Sequence, residues 1–197
     1  MDHLSSIFGG DSTQSEFRDH IERTNALRGV LQISGEIFED DAAVFAAKLM
    51  FLFDVGVREF TIYLCSPGGE VYPALGVFDS IRAIIGLGAV VKVKVRGQAA
   101  SAASMILLQA ASEGERVATP HSRIHLHEPS GWLGSASQSQ IRDTHQHLEV
   151  LGGIINTILG DRMGITATEV AKLYERKELW LSPQEAVDLK ILDKIEY

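Results

Sequence analysis

Four short stretches hold the residues of this chain that could do chemistry: SPGG at 66–69, GQAAS at 97–101, RIHLHEP at 123–129, and a group of glutamates, Glu175, Glu178 and Glu185. A serine closing a run of small residues is a weak nucleophile until a base takes its proton, and His125 and His127 offer that base. Two positions apart in an extended segment, the two imidazoles share one face. SPGG ends an apolar, β-rich run in a proline and two glycines. Such a sequence turns sharply and leaves backbone N–H groups unpaired beside a helix start, where they can hold a developing oxyanion or a phosphate. Each stretch also has an ordinary explanation: a tight turn, a small-residue packing seam, strand histidines, solvated carboxylates. Together they make up the components of an acyl-transfer site. Residue types alone leave open whether Ser101 or Ser104 attacks, and which glutamate supports the imidazole.

Other chemistry is disfavoured. The pairs His125/His127 and His145/His147 suggest a metal, but on a helix two residues so spaced point to nearly opposite sides, and no cysteine or well-spaced carboxylate completes a ligand set. No metal and no cofactor is expected. The 197 residues carry 18 basic and 26 acidic side chains, a formal charge of −8. That balance argues against nucleic-acid and anionic-membrane partners, which need a basic face. Cys65 is the one cysteine, so no internal disulfide forms and a reducing compartment is expected. Its setting, TIYLC, reads as an inert core thiol. No stretch reaches the roughly 18 apolar residues of a membrane span. MDHLSSIFGGDSTQ lacks the basic and apolar regions of a signal peptide, which makes the cytoplasm the default location.

The elements that must position these residues alternate in type. RGVLQIS (28–34), REFTIYLC (58–65) and AVVKVKVRG (89–97) read as strands, while 40–56 and 71–84 read as helices, with Pro73 in a first turn. ASMILLQAAS (103–112) reads as a buried helix and 116–129 as extended. This order predicts an α/β fold with βαβ units and a largely parallel sheet. A long helix is expected over 141–164, softened by Gly152 and Gly153. Two helix starts follow, at Thr166 with Glu169 and at Ser182-Pro183 with Glu185. ILDKIEY is the last strand.

Taken in order, the stretches resemble the Clp protease proteolytic subunit family, serine peptidases of the ClpP/crotonase-like fold. SPGG resembles the family's oxyanion turn and GQAAS its nucleophile motif. PHSRIHLHEP resembles its P-N-S-R-x-x-x-H-Q-P segment, and WLSPQEAVDLKILDKI its F-L-S-A-x-E-A-x-x-x-G-L-I-D ending. The resemblance implies repeated ββα-type units with a protruding handle at about 130–163, in a single peptidase domain over 28–197. Residues 1–27 precede it as a variable segment expected to be mobile or partner-dependent. It implies Ser101 as nucleophile, His127 as general base, Glu178 as the third triad member, and the amides of Gly69 and Ala102 as the oxyanion hole. Gly68, Ser130 and Gly131 are implied as substrate-binding, with the polypeptide lying extended along SGWLGSA (130–136). Ser104 lacks a preceding Gly-Gln, so the match selects Ser101. The implied assembly is a homo-oligomer of two stacked heptameric rings, with an AAA+ Clp unfoldase ATPase as partner and polypeptides as substrates.

The chain departs from the family pattern in several places. Glu178 stands where the family usually has aspartate, and Lys177 where an arginine commonly precedes it. Matching GQAAS needs one extra residue before LLQAAS, IGLG (85–88) reads as a small insertion, and the usual N-terminal segment is not recognisable. These departures motivate the rival reading of a non-catalytic ring subunit supporting an active paralogue. Two further relatives in fold or chemistry are an acyl-CoA hydratase or isomerase and a phage-type or signal-peptide peptidase.

Overall fold

Apolar residues at every second position become strands, and those at three- and four-residue spacing become helices packed on one face of the resulting sheet. The structure is a computed structural model and describes residues 11–131 and 135–197. The strands are β1 (Val30–Ile37), β2 (Glu59–Gly69), β3 (Val90–Ala100), β4 (Arg116–Ala118), β5 (Arg123–Leu126), β6 (Leu179–Leu181) and β7 (Lys194–Ile195). The helices are α1 (Asp11–Leu27), α2 (Glu39–Asp54), α3 (Val71–Gly86), α4 (Gln138–Met163), α5 (Ala167–Tyr174) and α6 (Pro183–Asp188). Among the described residues the main path of the sheet runs β1-β2-β3-β4-β7, with β5 pairing β3 and β6 pairing β5. All pairs are parallel except β5–β6. The α/β class and largely parallel sheet expected from the strand–helix alternation are therefore present.

Ile62, Leu64, Val91, Val93 and Val95 bury one face of the sheet against α3, whose Ala74, Val77, Ile81 and Ile84 recur at helical spacing. The opposite face is charged. Lys92 pairs with Glu115 and Glu196, and the Arg96 guanidinium lies 3.5 Å from the centre of the Tyr63 ring. Cys65 belongs to this second set. It is exposed, not the core thiol the sequence suggests. The reason is the period of two: Phe60, Ile62, Leu64 and Ser66 alternate inward along β2, which turns Cys65 outward despite its apolar neighbours.

Two elements differ from their expected form. The segment after β3 is not an α-helix. Ala103–Leu107 is a π-helix and Leu108–Ala110 a 3-10 turn, all of it buried. A π-turn holds one residue more than an α-turn, which changes the facing of the side chains that follow it. Helix α4 is uninterrupted by Gly152 and Gly153. It is capped by a reciprocal Ser137–Gln140 box and ends at Gly164, whose φ of 73° satisfies the left-handed C-cap. From 138 to 150 it buries no residue, whereas Leu151, Ile155, Leu159 and Met163 dock its second half. Both later helices carry the boxes that their spacing predicts, Thr166–Glu169 and Ser182–Glu185. No helix among the described residues is long and apolar enough to cross a membrane.

The C-terminal segment is fastened by Arg116. Its guanidinium donates to Asp193 Oδ1 at 2.5 Å and Oδ2 at 3.1 Å, to Gln109 Oε1 and to the Lys190 carbonyl. Burial opposes ionisation of Asp193, but the Arg116 hydrogen bonds and charge outweigh it and hold the carboxyl below its usual range. The stabilisation is therefore complete above the ordinary carboxylate range near about pH 4 and is lost as pH falls through the lower folded value. Asp193→Asn should lower stability at pH 7 by up to about 3 kcal/mol, because it leaves a largely buried guanidinium short of its counter-charge. Urea midpoints measured from pH 7 to 3 should show a shallower acid decline in the variant than in the wild type.

Candidate active site

Strand β3 forks the sheet. Its first half pairs with β4 through Val93–Val95, and its second half pairs with β5, with Ala100 opposite His125. Gly97, at φ 90°, stands between the two halves. Because β5 runs parallel to β3, the residues just past both registers, Ser101 and His127, leave the sheet side by side. That register carries a hydroxyl and an imidazole across 26 positions of chain, and Ser101 Oγ lies 2.7 Å from His127 Nε2.

The serine is held in a sharp elbow. Its φ is 54°, a left-handed conformation that a non-glycine residue seldom adopts and that costs on the order of 1–3 kcal/mol. Its amide donates to the His125 carbonyl at 3.1 Å, and its own carbonyl accepts from the Ser104 and Met105 amides. Ser104, fully buried, adds a bridge: its hydroxyl lies 3.0 Å from the Ser101 carbonyl and 2.5 Å from that of His125. The second serine of the AASAAS run thus braces the elbow and does not face His127. Its register follows from the π-turn, which sequence spacing alone did not disclose.

Gly68 packs directly behind Ser101. A Cβ there, at φ +100°, would lie 2.6 Å from Ser101 Cβ, 2.7 Å from the Ala100 carbonyl and 3.1 Å from the Ala102 amide. Only glycine permits this approach, which brings the Gly68–Gly69 end of β2 against the residue that follows Ser101. SPGG is thus the last part of β2, with Gly68 and Gly69 paired to Glu36 and Ile37, and not the sharp turn its composition predicts. Ala102 heads the buried helical segment, where the first amides have no intrahelical acceptor. Gly69 also lines a cleft of about 920 Å³ with Val71, Tyr72, Ser130, His147 and Leu151. Gly131 lies beside Leu148 and Thr144 of α4. Of the expected SGWLGSA strand, residues 132–134 lie outside the described residues, as does the start of the N-terminal segment.

Glu178 is in a different place from the one the triad pattern implies. Its Oε2 lies 2.6 Å from His125 Nε2, a close contact that lacks hydrogen-bond alignment. Among the described residues no carboxylate is bonded to the second ring nitrogen of His127. His125 is sandwiched: its ring stacks on His127 at 5.2 Å and 7°, and on Trp180 at 4.2 Å and 15°. Burial is the strongest influence on His125 and pushes its pKa below the usual imidazole value. Glu178 opposes that shift, and His127 adds to it. The sequence contains a signal for this arrangement, a second histidine on the same strand face, but the partner from β6 is visible only once the antiparallel pair places Trp180 opposite His125. No group of three or more metal-binding side chains occurs among the described residues.

The Clp protease family model matches residues 13–196. The chain belongs to the Clp protease family. Curated ATP-dependent Clp protease proteolytic subunits align with it over most of their length. That of Bacteroides fragilis is 33% identical over 168 residues, covering 84% of this chain and 78% of the relative. The Ligilactobacillus salivarius subunit is 34% identical over 84% and 82% of the two chains, and the Porphyromonas gingivalis subunit 35% over 84% and 72%. The family match begins inside α1, well before residue 28, where the motif likeness starts.

Within this family site, the Gly68 contact makes a sharp prediction. Gly68→Ala must push the elbow aside, and a displacement of about 1 Å costs on the order of 10²-fold in rate. Fluorophosphonate labelling of the variant should slow by that factor while its far-ultraviolet circular dichroism stays that of the wild type.

Proposed function

We propose that this Clp-family chain is the serine endopeptidase subunit of an ATP-dependent protease and hydrolyses unfolded polypeptides inside an oligomeric chamber. The single observation that carries the reading is the 2.7 Å contact between Ser101 Oγ and His127 Nε2 beside the Gly68–Gly69 end of β2. His127 takes the hydroxyl proton as Oγ attacks the scissile carbonyl, then gives it to the leaving amine; water, activated by the same imidazole, hydrolyses the acyl-enzyme. The amides of Gly69 and Ala102 hold the developing oxyanion, and losing one such donor typically costs about 10²–10³ in rate.

Glu178 serves as the third member when its carboxylate orients the His127 ring. A glutamate does this work as an aspartate does, from a backbone set slightly farther away. Substrate lies extended past Gly68, Ser130 and Gly131 and adds main-chain hydrogen bonds. Residues 28–197 act as one peptidase domain. The exposed first half of α4 supports the reading as the handle through which two heptameric rings stack. An AAA+ Clp unfoldase feeds the chamber, and the cytoplasm is the proposed location.

Labelling with a fluorophosphonate tests the chemistry, since the Oγ–P bond forms as fluoride leaves and His127 takes the proton. Ser101→Ala and His127→Ala should each abolish detectable labelling and peptide hydrolysis, whereas Ser104→Ala should leave a labelled Ser101. Labelling that survives Ser101→Ala, or none in any assembly state of the wild type, would refute the peptidase reading and leave a scaffold subunit.

A further inference from the structure

We propose that His125 is a positioning residue that competes with His127 for the Glu178 carboxylate, so that the triad is completed only when Glu178 leaves His125. The inference rests on the peptidase reading and deepens it. The competition follows from the geometry. His125 and His127 stack almost parallel, and Glu178, from the turn before β6, lines one pocket with His127 while its carboxylate meets His125. In this structure it is against His125, at 2.6 Å.

The two partners differ in their freedom to move. The His125 ring is buried and clamped between Trp180 and His127, and its backbone carbonyl is tied to the Ser101 amide and the Ser104 hydroxyl. The Glu178 side chain is 68% exposed, and it lies two residues after Arg176, which has a φ of 56°. Glu178 and His127 line one polar pocket of about 540 Å³, shared with Ser130 and Lys177. A carboxylate transfer from one imidazole to the other needs side-chain rotation in that space and no change in the sheet.

The titratable groups that act on His125 are Glu178, from the turn before β6, and His127, on its own segment. The π-segment packed behind it offers the uncharged Ser104. A carboxylate facing an imidazole favours its charged form. Glu178 placed on His127 therefore stabilises the imidazolium formed during acylation.

The test replaces the competitor and keeps the stack. His125→Phe retains a flat ring between Trp180 and His127 but cannot hold a carboxylate. Fluorophosphonate labelling of the full-length chain at neutral pH should then speed up by about tenfold, a modest share of what a correctly placed triad acid contributes. Adding Glu178→Gln should remove that gain, and the substitution should cost more in the His125→Phe background than beside His125. His125→Met, whose flexible side chain fills irregular gaps, repeats the comparison should phenylalanine disturb folding. Slower or unchanged labelling in the folded variants, or an equal cost of Glu178→Gln in both backgrounds, overturns the competition. Each of these differs from labelling that persists without Ser101, which would instead remove the peptidase reading beneath it.

Discussion

The site depends on one backbone hydrogen bond, from the Ser101 amide to the His125 carbonyl. It is the last tie of the β3–β5 pairing, and everything chemical lies one or two residues beyond it. With that bond made, the chain after β3 turns through a left-handed serine into a buried helical segment, and the chain after β5 presents His127 to the same spot. Ser104 reinforces the tie from the following turn by bridging the two carbonyls. The single Ser104 hydroxyl proton is shared between two carbonyls that also accept backbone amides, so the elbow is held by polar chemistry as much as by packing.

The surroundings leave little room for alternatives. Gly68 occupies the space behind Ser101 at distances that no other residue tolerates. The π-turn after Ala102 keeps Ala103–Leu107 wholly in the core, and Ser104 within it meets the elbow.

The acid side of the site is arranged less firmly. Trp180, His125 and His127 form a stack that fixes ring planes, while the Glu178 carboxylate that meets His125 is on an exposed side chain. Stacked rings with an exposed carboxylate are the reverse of an arrangement in which a buried acid holds a turning imidazole.

Much of the fold was legible in the residues. Residue types marked β1 and β2 and alternation marked β3, length and alanine content marked α2, helical spacing marked α3, and the capping boxes of α5 and α6 stood where Thr166, Glu169, Ser182 and Glu185 predicted. These signals are local, because hydrophobic period and cap chemistry act within a few residues. SPGG, GQAAS and HEP were legible as local motifs for the same reason. Three features were decided only by tertiary structure: Cys65 facing outward, Ser104 bridging two carbonyls, and Glu178 meeting His125. Each depends on register between segments far apart in the chain, where shifting a strand by one residue exchanges its faces, and adding one residue to a helical turn rotates every side chain after it.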